Sequence, residues 1–477
     1  PTPSASPVPS ASSAPAQIPR GGALTLEDAV RLAIRRNLDV RAARYRPRIG
    51  QARVDQERAA FLPSLGVEAY GTGYSQDLGF LYSSQIGSEA DRGASVGIRA
   101  KTTSGLSYGL QYQLLGQDVN LGPTNGGVFS VERNDLVLHV AAPLLKGAGT
   151  DYNLAPLRIA RNNRKAEALV LEQRALDVAS AVEHAYWTVL SATRVLDLRR
   201  DAQGRALQFL ADLQEAVKEG TRAPYETIEA EQKVASRAAD VAEAEKDLDL
   251  AQQQLRSLLR LPVAGPPLPV AEPPALTRPT DLPALTREAG ANRPELARAQ
   301  LAVENATTQK RADRNGLQPA VDVTGDLKLT GGTQNLYLWR LGVRCEVPLP
   351  NLEGSSRYLA SSLQEQQERE LRDAVAQQID LEVAQAARAA EMDTRRLEST
   401  HQAAVRARER VEMEFLRFRS GLSTSHDVIF FEDALIDAQM TEAAASLALH
   451  LAQVDLDRAR AVTLSSYHIR VTAEPIE

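Results

Sequence analysis

One cysteine in 477 residues, Cys345, excludes an intrachain disulfide and says nothing about redox compartment. It sits in the strand-like run Leu341-Gly-Val-Arg-Cys-Glu-Val-Pro348, where a packed thiol is the expectation. Aromatic residues make up 5% of the chain, few for a compact globular core and ordinary for long helices packed through small residues. Positive charge is not in excess: the net charge is −6 with 24% charged residues, so no nucleic-acid partner is expected. No stretch approaches the roughly 18 apolar residues of a membrane-spanning helix. That leaves a transmembrane barrel open, because barrel strands alternate and give weak hydropathy signals. The six histidines show no metal-ligand spacing, and no P-loop, nucleophile elbow or phosphate-binding glycine fingerprint occurs. No catalytic residue, metal or cofactor is expected.

What the chain has is a repeat. Residues 27–75 and 283–331 align without a gap at an offset of 256, pairing Asp39 with Glu295, Ala43 with Ala299, Pro63 with Pro319 and Val67 with Val323. The strand exit Ala142-Pro143-Leu144 returns as Val347-Pro348-Leu349, and Gly149 returns as Gly354. Lys218-Glu219-Gly220-Thr221 returns as Arg419-Ser420-Gly421-Leu422. The length alone would suggest about three domains. The duplication predicts instead two structural repeats in one pseudo-symmetric subunit, 24–260 and 283–464, joined by a Pro-rich linker at 261–282. A Pro/Ser/Ala-rich segment, 1–23, reads as a disordered leader of a processed chain, and 465–477 as a tail.

Within repeat 1, a helix is predicted from Thr25 to Leu62, where Pro63 stops it. From 64 to 142 the texture changes to alternation, as in Val67-Glu-Ala-Tyr70, Leu106-Ser-Tyr108-Gly-Leu110-Gln-Tyr112 and Asp135-Leu-Val-Leu-His-Val140. Five of the twelve tyrosines fall here (Tyr70, Tyr74, Tyr82, Tyr108, Tyr112), and Tyr337 and Trp339 occupy the matching region of repeat 2. Aromatics among alternating residues suit the girdles of an outer-membrane barrel. A soluble sheet with aromatic cross-strand pairs is the other reading. A very long helix follows, 153–218, whose Leu171, Ala175, Val178, Val182, Ala185, Val189, Ala192 and Leu196 step in heptads. The seam falters at Arg199 and Gln203 and resumes at Ala206. A helix at 225–260 completes the repeat. Repeat 2 gives a helix from Ala284 to Leu317, strands at 321–347, a long helix at 355–419 and a last helix at 425–462. At ~1.5 Å per residue the long helices reach on the order of 100 Å. The charge runs Glu365–Arg372 and Arg406–Arg410 are expected on solvated helix faces.

This order of elements resembles the TolC family of outer-membrane efflux and secretion channels, over residues 24–465. The carriers are the opening Leu24-Thr-Leu-Glu-Asp-Ala-Val-Arg-Leu-Ala-Ile-Arg-Arg-Asn-Leu-Asp39, the junctions at Pro63 and Pro319, and the exits Pro143-Leu-Leu-Lys-Gly-Ala-Gly149 and Pro348-Leu-Pro-Asn-Leu-Glu-Gly354. The turns Glu219-Gly-Thr-Arg222 and Ser420-Gly-Leu-Ser423 complete them. The resemblance implies an α+β membrane protein: a homotrimeric transmembrane β-barrel in outer-membrane lipid, continued by an α-helical coiled-coil barrel in the periplasm of a Gram-negative-type bacterium. It implies a passive conduit working with a periplasmic adaptor (membrane fusion protein) and an inner-membrane transporter, in efflux or type I secretion. One hairpin per repeat, twelve strands per trimer, is the family pattern. The first strand region, about 79 residues against 27, departs from it; a twelve-stranded barrel with an elaborated first half is expected, residues 94–113 forming an added hairpin, a bent strand or a loop.

The resemblance also assigns the tips. Gly220, Thr221, Arg222 and Gly421, Leu422, Ser423 are the adaptor-contact turns, with Leu422 an apolar knob and Thr221 its counterpart. Asp427 and Glu226, each six residues past a turn glycine, are the candidate pore-gate acids, and Phe418 a gate aromatic, with core packing its other reading. A ring of three carboxylates would bind cations, although an acid in a first helical turn is also expected for dipole reasons. A periplasmic adaptor or a soluble coiled-coil scaffold is the competing assignment. An adaptor carries one hairpin where this chain has two, and a scaffold gives no reason for tyrosine-rich strands.

Overall fold

The computed structural model describes residues 23–75, 88–120, 128–262, 268–272, 281–332 and 336–472. The expected leader up to residue 22, Tyr82, most of the Pro-rich linker and the last five residues of the tail lie outside them. The chain divides into two compact units, one of residues 47–167 and 298–373, the other of 23–46, 168–297 and 374–472. Each unit takes segments from both expected repeats.

Among the described residues the first unit holds a single sheet. Six strands, β1 (Ser64–Ser75), β2 (Ser88–Lys101), β3 (Ser107–Asn120), β4 (Val128–Pro143), β5 (Ala320–Gly332) and β6 (Leu336–Glu346), pair in sequence order, every neighbour antiparallel. The expectation of four strands per chain is corrected: 94–113 lies in a further hairpin, β2–β3, turning at Thr102–Leu106, where Thr102 donates to the Leu106 carbonyl at 2.7 Å. Because side chains alternate, the pairing register sorts the whole sheet into two faces. Leu65, Val67, Val96, Ile98, Tyr108, Leu110, Tyr112, Leu136, Leu138, Val140, Leu327, Leu329, Tyr337, Trp339, Leu341 and Val343 share one face. Glu68, Arg99, Gln111, Gln113, Asp135, His139, Asp326, Lys328, Arg340 and Arg344 share the other. Asp135 is fully buried there beneath Lys328 (2.7 Å), Arg133 (3.2 Å) and Thr330 (2.7 Å). Two expectations change. Tyr70 lies on the polar face, its ring over Gly93 so closely that a Cβ there would come within 2.5 Å. Cys345 is exposed on the apolar face of an edge strand rather than packed.

Helices feed the sheet from the same unit. Val54, Leu157 and Ala160 form a small core with Phe61 and Leu154. Asparagines tie the strand exits: Asn315 accepts from the Gly147 amide at 2.6 Å and donates to the Leu145 and Ala148 carbonyls. Glu365, expected on a solvated face, is buried against Lys310 (2.7 Å), Thr307 (3.0 Å) and Arg369 (2.7 Å). The lysine hydrogen bond holds its carboxyl below the usual glutamate range.

The first expected helix is three: α1 (Leu26–Arg36), α2 (Leu38–Ala43) and α3 (Tyr45–Ala59). Asn37 breaks it by capping α2, accepting from the Asp39 and Val40 amides at 2.8 and 3.3 Å from an extended backbone. The helix expected from Ala284 is likewise α7 (Leu282–Asn292) and α8 (Pro294–Asn315), broken at Arg293. There Pro294 forces the residue before it out of helical geometry. The two breaks lie 256 residues apart, as do the starts of α1 and α7 and of β1 and β5, so one backbone device is produced by two side-chain chemistries. The remaining helices are α4 (Thr150–Asn153), α5 (Ala155–Lys218), α6 (Tyr225–Leu258), α9 (Leu352–Arg419), α10 (Ser425–Ala459) and α11 (Thr463–Ser466).

The second unit is helical. Leu171, Ala175, Val178, Val182, Ala185 and Val189, the heptad seam of α5, are buried against α1, the end of α6 and Leu464. Tyr186, 0% exposed, directs its hydroxyl at the Leu24 carbonyl (2.7 Å) and the Ala271 carbonyl (2.5 Å), and Leu24 pairs with Val270 in an isolated parallel bridge. Burial pushes its phenol up to about 12. A second core gathers Leu285 and Ala289 of α7 with Ile379, Val383, Leu456 and Ala459. Where the seam falters, Arg199 bonds Asp240 (3.0 Å), which also takes buried Arg237 (3.0 Å); Arg237 and Lys233 both reach Asp433.

Candidate functional site

Two helix turns in the second unit carry every residue the sequence placed at the tips. The α5–α6 turn and the α9–α10 turn share one backbone. Gly220 and Gly421 both have φ +73, a left-handed conformation that side chains resist. Each ends its helix in a Schellman motif: Thr221 donates to Ala216 O (3.0 Å) and Gly220 to Val217 O (3.1 Å), as Leu422 does to Arg417 O (2.9 Å) and Gly421 to Phe418 O (3.0 Å).

Side chains then join the two turns. Arg222, from the first, donates to the Phe418 carbonyl at 2.9 Å and to the Ser423 carbonyl at 3.4 Å. A cation is favoured there because the last carbonyls of α9 have no intrahelical partner. Its guanidinium also lies over the Phe418 ring, 4.2 Å from the centroid. Phe418, 9% exposed, packs with Phe209, Leu213, Ala230 and Val428, its ring 5.3 Å from Phe209. Within one chain its aromatic ring is therefore a platform for Arg222. Glu226 turns inward: its side chain is 13% exposed, accepts from the Ala223 amide at 3.3 Å and stands 3.8 Å from Arg222.

Asp427 has a different fate. It is partly exposed, at the third position of α10, and forms a capping box with Thr424. Thr424 Oγ1 accepts from the Asp427 amide (3.2 Å); Asp427 Oδ2 accepts from the Thr424 amide (3.2 Å) and hydroxyl (2.6 Å). The hydroxyl bond is the main cause holding its carboxyl below the ordinary aspartate value, so the group is an anion at neutral pH. Next to it, His426 Nδ1 meets Glu229 Oε1 of α6 at 2.7 Å, a second link between the turns, and this hydrogen bond raises the imidazole pKa. Ser423 is buried and bonds Glu414. Leu422, 71% exposed, projects at the second turn, and Tyr225 and Ile228 are exposed one helical turn apart beside the first.

The structure thus brings Gly220, Thr221, Arg222, Glu226, Phe418, Gly421, Leu422, Ser423 and Asp427 to one pair of turns, and gives the two acids different partners. Sequence reasoning missed Glu229, Glu414 and the Arg222 clamp. Glu229 and Glu414 carry no local signal, since each is defined by a partner on another helix or past the turn. Among the described residues no group of His, Cys, Asp or Glu is arranged to hold a metal. The arrangement offers a fixed anion, an apolar knob and a cross-turn clamp, and no nucleophile or acid–base pair aimed at a cavity.

Residues 285–461 match the family model described as outer membrane efflux protein. No curated protein matches the chain. Solved structures do. The outer-membrane channel OprN shares 17% identity over 91% of this chain and 89% of its own, with a TM-score of 0.67. The outer membrane protein VceC of Vibrio cholerae gives 14%, 91%, 96% and 0.65. The open state of the MtrE outer membrane channel of Neisseria gonorrhoeae gives 16%, 91%, 88% and 0.63. At these identities the likeness is one of fold. The resemblance read from the sequence is borne out, in the second half by the family match and along the chain by the fold. Proteins of that family are transport proteins, not enzymes.

Proposed function

We propose that the protein is the outer-membrane channel of a tripartite efflux or type I secretion system. It acts as a homotrimer and passively conducts substrates delivered by an inner-membrane transporter through a periplasmic adaptor. The observation that carries this reading is the sheet's broad apolar band, from Leu65 through Tyr112 to Val343, much of it exposed, with Arg92, Asp118 and Glu132 clustered at one end of the same face. A water-soluble protein does not leave so large an apolar surface uncovered. In a bilayer the same face meets acyl chains while the charged face lines water. A soluble scaffold or adaptor has no use for it.

In this reading the sheet lies in outer-membrane lipid and the two turns meet the adaptor in the periplasm. Leu422 and Thr221 are the contact knobs, flanked by Gly220, Arg222, Gly421 and Ser423. Asp427 is the gate acid: partly exposed and ionised, three copies would form an anionic ring that favours cations. Glu226 and Phe418 serve the gate from behind, by holding Arg222. The repeated order of helix, strands, long helix and turn supports a pseudo-symmetric subunit.

The test is the detergent-corrected mass, expected near three times 51.7 kDa. Bilayer conductance follows: Asp427→Ala should lose cation preference and cation block. A water-soluble monomer would end the channel reading, and unchanged selectivity in the variant would end the gate assignment alone.

A further inference from the structure

The six-stranded sheet is not closed. Among the described residues β1 pairs only with β2, and β6 only with β5, so two edges of 12 and 11 residues remain open. An open edge cannot stand in hydrocarbon, because its amides and carbonyls have no water to bond. Nor do six strands close on themselves, since the smallest transmembrane barrels have eight. The occupant of each edge is therefore a second copy of this chain. Direction agrees: five antiparallel steps separate β1 from β6, so β6 of one copy beside β1 of the next is again antiparallel. The faces agree too, with Leu65 and Val67 on β1 continuing the apolar side of Leu341 and Val343 on β6.

We propose that three copies of this chain close an eighteen-stranded barrel, in place of the twelve strands that the family resemblance implies. The number of copies rests on the functional reading above; the number of strands per copy does not. The added element is the β2–β3 hairpin. It is a full part of the wall, paired to β1 over 12 residues and to β4 over 14. It also carries the same alternation: Val96, Ile98, Leu110 and Tyr112 stand on the apolar face, Arg99, Gln111 and Gln113 on the polar one. A hairpin is the smallest insertion that leaves the neighbours undisturbed, because two strands restore the direction that one would reverse. β1 and β4 run in opposite directions and would pair without it. Barrel diameter grows roughly in proportion to strand number, so the ring is about half as wide again as a twelve-stranded one and holds an aqueous lumen. The polar face fits a wide lumen: Asp135, Arg133 and Lys328 pair along the wall instead of filling the interior.

The experiment places probes on the hairpin in the full chain, after Cys345→Ala. Ile98→Cys and Leu110→Cys, labelled with a fluorophore, should be quenched by brominated lipid within about twofold of Leu327→Cys on β5. Gln111→Cys should escape quenching and react with a charged, membrane-impermeant thiol reagent. Each sample is also weighed in detergent. Unquenched probes at Ile98 and Leu110 on a trimeric protein would overturn the eighteen strands and leave the channel reading standing. A mass other than three copies would overturn both.

Discussion

The two turns at the end of the long helices have one backbone and two electrostatic outcomes. Both glycines sit at φ +73 with the same pair of Schellman bonds, and both acids follow six residues later. Yet Glu226 is folded onto Arg222, while Asp427, partly exposed, is tied to its own cap. The difference lies in the capping residue. Thr424 supplies a hydroxyl that engages Asp427 locally, whereas Pro224 makes no side-chain cap bond, so Glu226 bonds the Ala223 amide and faces the nearest cation. Glycine and helix ends settle where the chain turns; the cap decides which partners an acid takes.

Removing the clamp should break that comparison most. Arg222→Ala would leave the Phe418 carbonyl and Glu226 without their cation, at a cost on the order of 2 kcal/mol. Amide exchange at Leu422 and Ser423, on the opposite turn, should rise; protection unchanged there would mean the turns are independent. Adding Glu226→Gln should recover part of the loss, since the uncompensated carboxylate is then gone. Next come the glycines. Gly220→Ala and Gly421→Ala should each cost about 1–2 kcal/mol, because only backbone strain is introduced: no atom lies within 4 Å of either Cβ. Unequal losses in thermal unfolding would show that the turns are not equivalent. Thr424→Ala should cost about 1 kcal/mol. It should also let the Asp427 pKa rise toward its ordinary value, which NMR titration of that carboxyl reads directly.

The smallest effects are those of pH, and they act at opposite ends. Asp427 has a depressed pKa, so its cap contributes above the ordinary aspartate value and is lost as pH falls through the lowered one. His426 has a raised pKa, so its link to Glu229 is complete below the ordinary histidine value near 6.5 and is lost as pH rises through the elevated one. Glu229→Gln should move the His426 titration back toward its ordinary position, with the Asp427 charge still raising it. An unshifted imidazole in the parent protein would remove this link from the account.

Periodicity and glycine made most of the helices and both turns legible before any coordinates. The heptad residues from Leu171 to Val189 are buried, and even the seam's faltering point, Arg199, marks an ion-pair cluster. The breaks at Asn37 and Arg293 were written in plain sight, as an N-cap residue and as the residue before Pro294, but the continuing apolar pattern masked them. Strand number was less legible, because Gly-rich alternating strands look alike whether they pair in the wall or loop outside it. Tyr70 shows a lapse of parity: three residues from Val67, it must face the other way. Glu365 and Arg222 were beyond reach, since their burial depends on partners 55 and 196 residues away.

Tyr186 offers one more consequence. Its single phenolic proton is shared by two carbonyls from segments far apart in sequence, one before α1 and one between α6 and α7. A phenol titrating near 12 ionises only where water has reached it. The ultraviolet signature of tyrosinate at this residue is therefore a built-in strain gauge. While Leu24 and Ala271 stay strapped to α5 it is silent through the mildly alkaline range, and its appearance there would time the loosening of the belt without any added label.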